Sequence, residues 1–199
     1  MEVLIFECTN MILSDRDILK ELKSGEIVIK PFRKECVQPA SYDVHLGRTF
    51  LVFNVNQNFV IDPKVPSKDL MKEIEIKTDE PFILHPGEFA LGMLVEETGV
   101  SDKLVGRLEG KSSLGRLGLI IHTTAGFLDA GNCLRMTLEL FNAGRIPIKL
   151  YYKMPIGQMA FEYLSSPCLR PYGSKGLNSK YKGDTKPVAS KMHLNFGKK

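Results

Sequence analysis

No apolar run in this sequence approaches the ~18 residues that a membrane-crossing helix needs, and none of its four cysteines forms a CxxC pair. The first absence argues against a helical membrane anchor. The second leaves no metal cluster or short disulfide framework, so Cys8, Cys36, Cys133 and Cys168 read as reduced thiols of a cytoplasmic protein. The apolar patch in MEVLIFECTN has neither a basic flank nor a small-residue cleavage site, so no signal peptide is expected. Strand–helix–strand alternation is also missing, and with it the parallel sheet of a P-loop or Rossmann protein.

What is present fits one soluble domain with an arm. The 199 residues are 43% hydrophobic and 25% charged, enough for a sizeable core. The net charge of +4 is unevenly spread. From Cys168 onward eight lysines and arginines stand against Asp184 alone, a net of +7, leaving −3 on the first 167 residues. Such a tail suits a polyanion, either nucleic acid or the phosphates of a nucleotide, or else a solvated terminus.

One helix is written into SDRDILKELKSG, with Ser14 as cap, Asp17 completing a capping-box variant and Gly25 as the stop. Ile18, Leu19 and Leu22 predict its apolar face. Short strands are expected at 26–30, 49–53, 58–62, 73–77, 82–85, 89–95, 119–125, 135–142, 146–152 and 158–164, separated by turn signals. Many short strands of this kind indicate a sandwich or barrel. From about Pro167, Gly, Ser, Lys and Pro predict a loop-rich arm.

Three stretches carry chemistry. GRLEGKSSLGRLGL (106–119) looks like a P-loop, but only three residues separate Gly106 from Gly110, one short of the motif. Lys111, Ser112, Ser113 and Arg116 still concentrate cations and hydroxyls beside glycines, as an oligophosphate site or a polar turn would. In HTTAGFLDAG (122–131), Asp129 lies between two glycines at a strand end, placed to cap a turn, bind a sugar hydroxyl or orient a water. In MTLELFN (136–142), alternation puts Met136, Leu138 and Leu140 on one face and Thr137 and Glu139 on the other. Glu139 is then either paired with Arg135 or Lys149, or a functional base. Zinc-dependent base deamination is disfavoured, because neither H-x-E nor P-C-x-x-C occurs. A Ser112–His122–Asp129 triad lacks the G-x-S-x-G elbow.

In order and spacing, these stretches resemble the dCTP deaminase family of the dUTPase-like superfamily, and most closely its bifunctional dUMP-forming members. The matching pieces are MILSDRDI (11–18), QPASYDVHLG (38–47), EGKSSLGRLGL (109–119), TAGFLDAG (124–131), TLELFNAGRIPI (137–148), IGQMAFEYLSSP (156–167), RPYG (170–173), SKYKG (179–183) and VASKM (188–192). The resemblance implies a mainly β fold, a dUTPase-like distorted β-barrel of β-clip or jelly-roll character with a few short helices. It divides the chain into an extension (1–10), the barrel domain (11–167) and a basic arm (168–199) closing over the nucleotide. It further implies a homotrimer with shared active sites, Mg²⁺ carried on the substrate triphosphate, no zinc, dTTP as an inhibitor, and no membrane or nucleic-acid partner.

By the same resemblance, the loop of Lys111, Ser112, Ser113, Leu114, Gly115 and Arg116 binds nucleotide, with Gln158, Tyr172 and Lys180 on the triphosphate. Asp129 meets the deoxyribose 3′-hydroxyl, and Thr137, Leu138 and Glu139 line the cytosine. Glu139 is the catalytic carboxylate, and Ser112, Arg116 and the Ala125 backbone position its water. Thr124-Ala125-Gly126-Phe127 resembles the members that also cleave the triphosphate, giving dUMP with Asp129 helping a second water. The alternatives are a deaminase releasing dUTP, a dUTP diphosphatase, and a non-catalytic binding relative. Four positions depart from the family pattern: Lys111 for Arg, His45 for Arg, Asn132-Cys133-Leu134 for an aromatic and glycine, and Asp184 for Gln. An anion at 184 weakens triphosphate binding unless Lys182 or Mg²⁺ offsets it.

Overall fold

The computed structural model describes residues 11–55, 60–66 and 70–197. The extension 1–10 lies outside them. The helix forms as its caps dictate: α1 spans Asp15–Ser24, the Ser14 hydroxyl accepts from the Asp17 amide, and Gly25 closes the helix at φ 83. Its buried face differs from the expected one. Ile18 and Glu21 are buried, whereas Leu19 is exposed. Glu21 is tolerated there because Lys20 pairs with it and Ser24 donates to it.

The remaining elements are short. In chain order they are β1 (Ile27–Lys30), β2 (Val37–Gln38), β3 (Ser41–His45), β4 (Thr49–Phe53), β5 (Met71–Glu75), β6 (Phe82–Leu84), β7 (Phe89–Met93), β8 (Glu97–Val100) and β9 (Leu104–Gly110). After β9 come α2 (Ser112–Gly115), β10 (Leu119–Ile120), β11 (Phe127–Leu128), β12 (Cys133–Leu134), β13 (Thr137–Asn142), β14 (Ile148–Leu150) and β15 (Pro155–Tyr163). Every strand pair among them is antiparallel.

Two five-stranded sheets dominate, ordered β10-β13-β7-β4-β5 and β11-β9-β15-β3-β2. A three-stranded sheet β1-β8-β12 and the ribbon β14-β6 complete the mainly β architecture. A bridge between Leu46 and Leu94 links the two large sheets where β3 and β7 run out. Phe50 stacks on Phe82 at 4.2 Å between centroids, and Tyr42, Phe161 and Leu138 are fully enclosed in the same core.

Several expected strands are shorter than the apolar pattern suggests, and residues 60–62 are not a strand; 58 and 59 lie outside the described residues. The expected strand 119–125 stops at Ile120, after which the chain crosses from one large sheet to the other. Residues 104–110 form the longest strand after β15, though their glycines hide it. At Gly106 a Cβ would lie 2.9 Å from Met159 and 3.1 Å from Leu128, so the missing side chain is what lets the layers close. The departure at His45 also has a local explanation. Glu96 is fully buried and a buried carboxylate needs a cation; Arg33 supplies it at 3.3 Å, beside His45 at 2.8 Å.

Candidate active site

Strand β13 fixes the central group. Its burial alternates strictly, with Met136, Leu138 and Leu140 in the core and Thr137 and Glu139 on the other face. Leu138 therefore offers a ligand only its main chain. Beyond β10 the Ile121 carbonyl accepts the Glu139 amide at 3.0 Å, and the crossing segment then folds back over the carboxylate. The Thr123 amide (2.8 Å), the Thr123 hydroxyl (2.5 Å) and the Thr124 amide (3.0 Å) all donate to Glu139 Oε2. Burial opposes the charge, but these bonds and that of the Ala125 amide outweigh it, holding the carboxyl below its ordinary value of 4.5. Glu139 pairs with neither Arg135 nor Lys149, so the purely structural reading of this carboxylate loses its partners.

Glu139 lines a cavity of about 470 Å³, within the range of small-molecule sites. Thr137, Ala125, Asp129, Asn132, Tyr172, Tyr181 and Asp184 share its wall. Phe53, Met71, Phe89 and Leu91 from β4, β5 and β7 make an apolar end. Asn132, one of the departures, is 6% exposed, and its Oδ1 has no protein partner. A second cleft of about 540 Å³ shares Phe127, Asp129, Tyr172 and Tyr181 with the first and holds Arg170 and Lys180. Asp129 thus lines both this cavity and the cleft that holds Arg170 and Lys180.

Partial desolvation raises the exposed Asp129 carboxyl above its ordinary 3.8. A carboxyl so raised favours folding most below pH 3.8 and loses that contribution as pH rises through its folded value. At neutral pH its charge is a cost. Asp129→Asn is therefore expected to raise the thermal midpoint at pH 7 by at most about 2 °C, given solvent screening. The difference should vanish below pH 3.8, while turnover falls; denaturation scans at both pH values check the sign.

The other expected residues lie elsewhere on the chain. Lys111 precedes α2, its ammonium 2.6 Å from Asp43 Oδ1. Gln158 on β15 accepts from Ser41 at 2.9 Å. Neither Gln158 nor any residue of 111–116 lines the Glu139 cavity. Ser112, Ser113 and Arg116 are exposed, and among the described residues their side chains form no hydrogen bond or ion pair. Within one chain the Glu139 carboxylate and the 111–116 loop therefore do not share a cavity.

The arm covers the cavity rim. The Tyr172 amide donates to the Ala130 carbonyl at 2.8 Å, and the Arg135 amide to that of Asp184 at 2.9 Å. Gly131, at φ 79, leaves the space that Pro171 occupies. Sequence reasoning missed the Thr123–Thr124 hook, Asn132 and Tyr181 as cavity residues. The hook's only local signal is a β-branched pair directly before Ala125-Gly126. Among the described residues, no three His, Cys, Asp or Glu side chains group as they would around a metal. No described helix is long and apolar enough to cross a membrane.

A family model described as dCTP deaminase-like matches residues 12–164. The chain belongs to this family. Among its dCTP deaminase-like relatives, the protein from Corynebacterium kroppenstedtii named "dCTP deaminase, dUMP-forming" is 53% identical over 186 residues, covering 94% of this chain and 100% of that one. A Corynebacterium glutamicum protein of the same name is 49% identical over 189 residues, 95% of this chain and 100% of the other. In fold, the chain resembles the solved 2′-deoxycytidine 5′-triphosphate deaminase of Agrobacterium tumefaciens with a TM-score of 0.60 at 22% identity. That match covers 78% of this chain and 49% of the other, so the dCTP deaminase-like chain spans about half that structure's length.

Proposed function

We propose that the protein hydrolyses the 4-amino group of dCTP and splits the triphosphate, consuming two waters and giving dUMP, ammonia and pyrophosphate. The observation that carries this reading is Glu139, ionised by a hook of backbone amides on the wall of a nucleotide-sized cavity. Relatives half-identical over nearly the whole chain and named dUMP-forming support the same product.

The chemistry follows from the charge state. Because Glu139 is held ionised, it can take a proton from the water that attacks C4, pass it to the ring nitrogen, and deliver a second to the leaving amine. Closing a base over the cavity adds desolvation, which raises the carboxylate's proton affinity toward the working range. Thr123 and Thr124 hold the carboxylate in place, so no reorganisation is needed during the reaction. Asp129, with its carboxyl raised by partial desolvation, suits both the 3′-hydroxyl and activation of the second water, which attacks the α-phosphorus as pyrophosphate leaves. Mg²⁺ carried by the substrate would neutralise part of the triphosphate charge.

The separation of carboxylate and loop supports a homotrimer in which the Lys111–Arg116 loop and Gln158 of one subunit complete the Glu139 cavity of the next. Within each chain, residues 168–199 act as the flap over the nucleotide, Tyr172 and Lys180 reaching the phosphates. The free thiols of Cys36, Cys133 and Cys168 suit a cytoplasmic enzyme.

Incubation with dCTP and Mg²⁺, with ammonia, dUTP, dUMP and pyrophosphate resolved over time, tests the reading. Ammonia and dUMP are expected in equal amounts, without dUTP accumulating. Accumulated dUTP would instead mean a deaminase alone, and turnover of dUTP without ammonia from dCTP a diphosphatase.

A further inference from the structure

Lys191 has no place in the chemistry above, yet it ties together several points of the arm. Its ammonium donates to the Lys180 carbonyl at 2.7 Å and to both carboxylate oxygens of Asp184 at 3.3 Å. It also lies 5.0 Å from the centre of the Tyr181 ring, and its own amide donates to the Tyr181 hydroxyl at 3.0 Å. These points connect onward. The Tyr181 amide donates to the Tyr172 hydroxyl at 3.1 Å, and Tyr172 and Asp184 are bonded through their backbones to Ala130 and Arg135.

The electrostatic need is plain on the cavity wall. Asp129, Glu139 and Asp184 put three carboxylates around the space a nucleotide would fill. A polyphosphate brought beside them meets like charge in a partly desolvated site, where repulsion is strong. Lys182, the obvious neighbour, instead packs its stem and ammonium against Gly173. Lys191 answers Asp184, and the pair is 28% and 17% exposed, sheltered enough to resist screening. Among the described residues the Lys180 ammonium forms no ion pair, while its carbonyl is held.

We propose that Lys191 is the positioning residue of the triphosphate grip, cancelling the charge of Asp184 and fixing the Lys180 main chain so that its ammonium meets phosphate. The proposal rests on the nucleotide reading, and it accounts for an aspartate where the family carries glutamine.

The test uses the full-length enzyme with Lys191→Met, Lys191→Arg, Asp184→Asn and the double variant Lys191→Met/Asp184→Asn. Two readouts are taken: calorimetric binding of inorganic tripolyphosphate, and steady-state kinetics with dCTP. Lys191→Met is expected to weaken tripolyphosphate binding and raise KM about 10–30-fold, with kcat within about 3-fold. Lys191→Arg should restore both values. Adding Asp184→Asn to Lys191→Met should recover about 5-fold, because the orphaned carboxylate is gone. A merely structural lysine would lower kcat and the thermal midpoint together and gain nothing from Asp184→Asn, which would overturn the proposal. So would tripolyphosphate affinity within 2-fold of wild type in Lys191→Met. Failure of the nucleotide reading shows separately, as no ammonia from the wild-type enzyme with dCTP, since the tripolyphosphate titration needs no turnover.

Discussion

Glu139→Gln is expected to slow ammonia release from dCTP about 10³-fold while leaving dCTP binding within a few-fold of wild type. The substitution is close to isosteric. The amide oxygen of Gln can still accept from the Thr123 and Thr124 amides and the Thr123 hydroxyl, which now converge on Oε2. What disappears is the capacity to take a proton. The carboxyl is held below 4.5, so it contributes stability above that pH and loses it as pH falls through the folded value. Glu139→Gln should therefore be slightly less stable than wild type at pH 7 and match it in acid. Stopped-time ammonia assays beside calorimetric dCTP binding separate chemistry from affinity. Ammonia release within 10-fold of wild type would remove Glu139 from the mechanism.

Mixing two inactive variants should restore activity. Arg116→Gln disables the exposed loop and Glu139→Gln disables the cavity, so each homo-oligomer is expected to lose more than about 100-fold in kcat/KM. If a site takes its carboxylate from one subunit and its loop from the next, co-expressed mixed trimers regain intact sites. Random assembly of equal amounts makes about one site in four wild type, because each site needs the right subunit on both sides. Doubly tagged, co-purified protein excludes the homotrimers, and each mixed trimer then holds one intact site of three, so recovery of about a third of wild-type activity is the expected result. If each chain builds its whole site, mixing recovers nothing. Among the described residues, 111–116 line no part of the Glu139 cavity, and the side chains of Ser112, Ser113 and Arg116 make no hydrogen bond or ion pair.

What could be read from the sequence depended on how local the cause was. Helix α1 was legible because both of its caps are written beside it, in Ser14 and Gly25. The facing of Glu139 was legible because alternation is a two-residue rule. Its hook was not, since Thr123 and Thr124 lie 16 and 15 residues upstream and look like the continuation of a strand. Strand β9 was hidden by glycines whose purpose appears only when Met159 and Leu128 pack against them. Two positions that depart from the family pattern meet charged neighbours in the fold: His45 shares buried Glu96 with Arg33, and Asp184 pairs with Lys191. The 111–116 loop follows β9 and Glu139 lies on β13, and within one chain they line no common cavity.

The position of β15 has a consequence for how the chain acquires its shape. This strand lies at the centre of its sheet, between β9 and β3, and pairs Met159 with Tyr42 and Phe161 with Gly106. The Leu13 amide also waits for the Phe161 carbonyl. A nascent chain emerging from the ribosome therefore holds β3 and β9 apart, each with one edge unpaired, until residues 155–163 have been made. Pairings this distant are slow to form and expose strand edges meanwhile. Closure of this sheet thus waits for β15, and premature termination before residue 163 leaves an aggregation-prone fragment rather than a smaller domain.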